Sequence, residues 1–131
     1  MTTFFRNNQV PLWALFPSLF LLLIYLMLSY LAFANPTFWY DSMGIPIPEH
    51  GFILTSWGGK NNAMIMSLLL GMLTRQRVPL LIAMAVLFTG QIGDSIAGAQ
   101  TGVNVFVTYI AMGFVALQLV VLFFANAGEN A

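Results

Sequence analysis

The chain has no cysteine and almost no charge: its 131 residues carry four Lys or Arg, four Asp or Glu and one histidine. Without cysteine there can be no disulfide, no thiolate metal site and no cysteine nucleophile. Charged residues make up 6% of the sequence, against about 25% in an ordinary soluble domain. Water does not solvate a surface so poor in charge, so the composition points to lipid as the solvent. A formal net charge of +0 speaks against a nucleic-acid partner, which requires a basic footprint. What is abundant is apolar: 60% of residues are hydrophobic and the mean hydropathy is +0.87.

The apolar residues fall into four runs, at about 12–34, 53–73, 78–97 and 105–124, each close to the ~20 residues that cross a bilayer. The expected fold is all-α, an integral membrane four-helix bundle with short loops, filling 1–131 as a single transmembrane domain. Arg6 ahead of an apolar stretch has the look of a signal peptide. Leu12–Ala34 is longer than an h-region of about 7–15 residues, however, so it reads as an uncleaved span.

Local signals divide the runs. Pro11 suits a first helical turn, Pro17 predicts a kink near Trp13, and Asn35-Pro36 stops the first helix. A loop is expected over Pro36 to Gly51, with Phe38, Trp39 and Tyr40 at headgroup depth. Gly58-Gly59-Lys60-Asn61-Asn62 is expected to interrupt the second span early, and Thr74-Arg75-Gln76-Arg77 to form a tight turn. Gly98 to Gly102 turns the chain again, and Asn104 caps the last helix. With four spans, Arg6, Arg75 and Arg77 share one side, so the positive-inside rule places both termini in the cytoplasm, in a bacterial inner membrane or its equivalent.

The two charges inside apolar runs, Lys60 and Asp94, are the most informative residues, because a charge at membrane depth must be paired or wet. By count, Lys60 lies roughly 10 Å and Asp94 roughly 6 Å below the outer ends of their helices. Antiparallel neighbours would bring them to similar depth. Gln91, Asp94, Ser95 and Gly98 share one face of the third helix, and Lys60, Ala63, Ser67 and Gly71 one face of the second. Glu49 and His50 in the outer loop could fold down to complete a cluster with Lys60, Asn61, Gln91 and Asp94.

Three readings follow. The favoured one is a structural ion pair that fixes helix register, with Asn61, Asn62 and Gln91 completing the hydrogen bonds. The others are a water-accessible pocket in which His50 or a carboxylate moves protons, and a Lys60 that snorkels to the headgroups. His50 is a weak candidate to ligate a porphyrin or chlorin, and no residues have metal-ligand spacing. Gln118, a lone polar residue in the fourth span, could bond across helices or to another protein's helix.

The run Gly59-Lys60-Asn61-Asn62-Ala63, the Arg75/Arg77 turn and the Gly93-Asp94-Ser95 closure resemble the small four-helix membrane proteins of the DoxX-like group, over residues 53–100. The resemblance implies a compact bundle with Lys60 and Asp94 as its polar signature. It also implies a link to quinol-oxidising membrane complexes, the association of that group's best-known members.

The function these features favour is a non-catalytic accessory subunit of an energy-transducing membrane complex. Its partners would be lipids and other transmembrane subunits. No cofactor is required, although a lipid, quinone or pigment could sit in the bundle. The alternative is a small membrane enzyme, an isomerase or cyclase acting on a lipid or isoprenoid, with Asp94 or Glu49 as general acid and Lys60 or His50 tuning it. A small multidrug exporter fits poorly, since Leu12–Ala34 has no charge.

Overall fold

The structure is a computed structural model and describes residues 9–44, 46 and 52–128. Glu49, His50 and Arg6 lie outside the described residues, so the cluster drawn from the outer loop is not placed. Among the described residues every regular element is helical. A 3-10 turn, Leu12–Leu15, leads into α1, Phe16–Ala34; then follow α2, Pro36–Met43, α3, Phe52–Thr74, α4, Arg77–Thr101, and α5, Phe106–Gly128. The segments Leu12–Ala34, Arg77–Thr101 and Phe106–Ala125 are long and apolar enough to cross a membrane. At 23 residues α3 matches them in length, but Lys60, Asn61 and Asn62 lower its hydropathy.

The local signals acted, in places differently from expectation. Where a loop was expected after residue 35, α2 forms. Asn35-Pro36 ends one helix and begins the next: the Asn35 side chain accepts a bond from Phe38 N at 3.2 Å, and Pro36 takes the first helical position. Gly44, at φ 69°, closes α2 in the left-handed conformation. The glycine pair at 58–59 does not interrupt the expected second span: α3 runs unbroken. Glycine in a helix costs only about 1 kcal/mol, and Gly58 lets the Phe33 ring of α1 approach: a Cβ there would lie 2.7 Å from Phe33 Cζ. The helix α4 runs a turn past the end expected for the third span, because Gly98 stays helical and Gly102, at φ 72°, is the residue that stops it. Asn104 Oδ1 accepts from Phe106 N at 3.0 Å, opening α5.

The main contacts run α1–α3, α3–α4, α4–α5 and α5–α1, so the four long helices close a ring, with α2 lying on α1. The centre is built from Leu21, Tyr25, Met64, Leu68, Met84, Leu87 and Val115. A second cluster, Val10, Leu15, Leu80 and Leu122, fills the end near residue 75. There Val10 N donates to Arg75 O at 2.8 Å and the Arg75 guanidinium returns bonds to Val10 O, tying the segment before α1 to the α3–α4 turn. The outer face is as apolar as the core: Leu73 is 78% exposed, Phe123 68% and Leu12 69%. Contiguous apolar surface on this scale needs lipid or protein against it.

Candidate functional site

At the end of the ring away from Arg75, polar side chains tie the helices together one contact at a time. Lys60 Nζ of α3 donates to Asp94 Oδ1 of α4 at 2.6 Å. Ser29 Oγ of α1 donates to Asn62 Oδ1 of α3 at 2.7 Å. Gln91 Nε2 of α4 donates to the buried Tyr25 hydroxyl of α1, and Ser95 Oγ of α4 contacts Met112 Sδ of α5 at 3.8 Å. Each contact joins two different helices, so this layer fixes their rotation and register. In apolar surroundings an unmet polar group costs more than in water, which sharpens that specificity.

The inward face of α3 is turned relative to the face read from spacing. Asn61 is 1% exposed and Ala63 faces outward, whereas the Lys60 and Asp94 side chains remain 35% and 26% exposed. The pair thus sits at the edge of the core with Asn61 behind it. Of the residues proposed for a polar cluster, Lys60 and Asp94 pair with each other, whereas Gln91 bonds to Tyr25 and Asn62 to Ser29 rather than to the pair. Gly98 is buried in contact with the chain beyond Gly102, and a Cβ on it would lie 2.6 Å from Val105 Cγ1.

A cavity of about 230 Å³ opens beside this layer between α1, α2, α3, α4 and α5. Asp94, Gln91, Asn61 and Tyr25 contribute polar wall, as do Thr101, Asn104 and Thr108 toward α5, and Leu28, Trp57, Val105, Val107 and Ala111 contribute apolar wall. Tyr40 of α2 lines it as well and packs with Leu28 and Ala32 of α1. Sequence reasoning missed Tyr40, having assigned its segment to an interfacial loop. Asn35-Pro36, read as a helix start as well as a stop, was the signal that could have found it.

At the opposite end Gln118 performs a repair that one sequence position could hint at but not specify. Pro17 has no N–H, and the chain passes from 3-10 to α geometry at Leu15–Phe16. The bond that a continuous helix would make between Ser18 N and Ala14 O is open. The Gln118 carboxamide fills the gap: Nε2 donates to Ala14 O at 2.7 Å, and Oε1 accepts from Ser18 N at 2.9 Å and Ser18 Oγ at 2.6 Å. Both Gln118 and Ser18 are 0% exposed.

Among the described residues no group of three or more His, Cys, Asp or Glu is placed to hold a metal ion. No family model, curated protein or solved structure matches the chain.

Proposed function

We propose that the chain is an integral membrane four-helix bundle, α3 being the fourth span, with both termini and the Arg75–Arg77 turn in the cytoplasm of a bacterial-type inner membrane. In this reading it is a non-catalytic accessory subunit of a larger, energy-transducing membrane complex. The observation that carries it is the 2.6 Å contact between Lys60 and Asp94. Each charge is answered by the other, and a carboxyl that exchanged protons with a substrate would first have to leave its ammonium partner. The DoxX-like resemblance adds support, since it rests on the same two residues and implies a host complex of that kind. Partners would be lipids on part of the apolar exterior and neighbouring transmembrane subunits on the rest.

Purification of the native protein in gentle detergent, followed by mass spectrometry of the co-migrating proteins, tests this. Recovery in fixed stoichiometry with a larger assembly, which loses integrity when the chain is deleted, is the expected result. Recovery of the chain alone overturns it.

A second reading has one observation in its favour, the cavity beside Asp94. A membrane enzyme acting on a lipid or isoprenoid needs such a space next to its acid. The pair Lys60→Met with Asp94→Leu separates the two. An accessory subunit keeps its place in the complex with both charges gone, whereas an enzyme folds and loses all turnover.

A further inference from the structure

Two side chains that line the cavity carry buried hydrogen-bond donors with no partner among the described residues. They are Tyr40 and Asn61, residues that are 4% and 1% exposed, and among the described residues neither the Tyr40 hydroxyl nor Asn61 Nδ2 has a partner. Buried polar atoms are almost always satisfied, so two orphans on one cavity need a common account. They come from α2 and α3, elements that only the folded chain brings together. Both can donate a hydrogen bond to an acceptor oxygen.

The remaining wall narrows the identity of that acceptor. Gln91, Thr101, Asn104 and Thr108 add neutral polar groups, and Leu28, Trp57, Val107 and Ala111 suit a hydrocarbon body. The one carboxylate in the wall, Asp94, is matched by Lys60, so neither an anion nor a cation is selected. A dry cavity of about 150 Å³ holds benzene, and this one, at about 230 Å³, has room for a substituted ring or the carbonyl end of an acyl chain. We propose that the cavity binds a neutral, apolar molecule headed by a carbonyl oxygen, which accepts hydrogen bonds from the Tyr40 hydroxyl and Asn61 Nδ2. The proposal concerns the chain by itself and stands whether or not it joins a host complex.

Infrared spectroscopy of the purified full chain in detergent micelles tests it, because a carbonyl that accepts two hydrogen bonds absorbs at lower frequency than one in a micelle interior. The probes are 4-decylcyclohexanone, with decylcyclohexane as its oxygen-free counterpart, and dilauroylglycerol, with the corresponding diether. The expected result is a low-frequency carbonyl band that saturates at about one probe per chain. Affinity should fall about tenfold in Tyr40→Phe and in Asn61→Leu, each loss matching one hydrogen bond. Ala111→Leu, which fills the cavity and leaves both donors in place, abolishes the band while far-UV circular dichroism stays helical. Should that variant not fold, the two donor variants still decide.

Saturation by the ketone alone marks a free ring-sized molecule as the occupant, and saturation by the diester alone marks a membrane lipid; either supports the proposal. The absence of a saturable band with both carbonyl probes overturns it. A band equally strong in Tyr40→Phe and Asn61→Leu does the same, and leaves water as the partner of the two donors.

Discussion

At the scale of single residues, polar side chains matter here because their alternatives to bonding are poor. Lys60 and Asp94 are partly exposed, so removing one charge should cost about 1–3 kcal/mol, between the values for surface and fully buried pairs. We expect Lys60→Met and Asp94→Leu each to lower the midpoint of unfolding in denaturing detergent, and the double variant to recover most of the loss. Equal additive losses would show that the contact contributes no coupling. Gln118 is the sharper case. Gln118→Leu strands the carbonyl of Ala14 and the N–H and hydroxyl of Ser18, so it should cost about 1–3 kcal/mol. Ser18→Ala removes one of the three bonds and should cost about 0.6 kcal/mol. The same unfolding assay ranks them, and the reverse order would discard the account of Gln118 as the repair of the Pro17 break. The polarity of position 118 was plain in the sequence. Its role was not, because it depends on a residue 100 positions away that only the α1–α5 contact brings near.

At the scale of elements, glycines decide how closely helices approach, and their surroundings separate costly positions from tolerant ones. A methyl group at Gly98 meets Val105 Cγ1 at 2.6 Å and the Val103 carbonyl oxygen at 3.2 Å. One neighbour is a stiff β-branched side chain and the other is backbone. At Gly58 the obstacle is the far edge of the Phe33 ring, and that side chain is 55% exposed and has space to turn. Gly98→Ala should therefore destabilise by about 1–3 kcal/mol and disturb the α4–α5 connection, whereas Gly58→Ala should be close to neutral, helped by alanine's helix preference. Thermal melting followed by circular dichroism distinguishes them, and similar losses would refute the packing argument. Sequence periodicity located the long helices to within a few residues, because a run of some twenty apolar residues can bury its backbone bonds only as helix. It failed where one residue type serves two purposes. Asn35-Pro36 stops and starts a helix, and the glycines at 58, 59 and 98 are accommodated within helices although the sequence pattern marked them as breaks.

At the scale of the whole molecule, the proposed orientation rests on three arginines, since Arg6, Arg75 and Arg77 supply all the arginine in the chain and Lys60 is paired with Asp94. Four spans would place the α3–α4 turn and the α4–α5 connection on opposite faces, about 30 Å apart. The absence of cysteine makes this directly measurable, because any thiol introduced is the only one present. Gln76 and Gln100 are both exposed and lie at opposite ends of α4. In intact cells a membrane-impermeant maleimide should label Gln100→Cys and leave Gln76→Cys untouched until the membrane is permeabilised. The inverse pattern would turn the bundle over and move the cavity to the cytoplasmic side. Labelling of both sites from outside would mean that α4 does not cross the membrane at all. The outcome also fixes the half of the membrane in which the cavity lies, because its wall includes Thr101 and Asn104 at the Gln100 end of α4. In the expected orientation the cavity lies in the outer half of the bundle, nearer the outer leaflet than the cytoplasm.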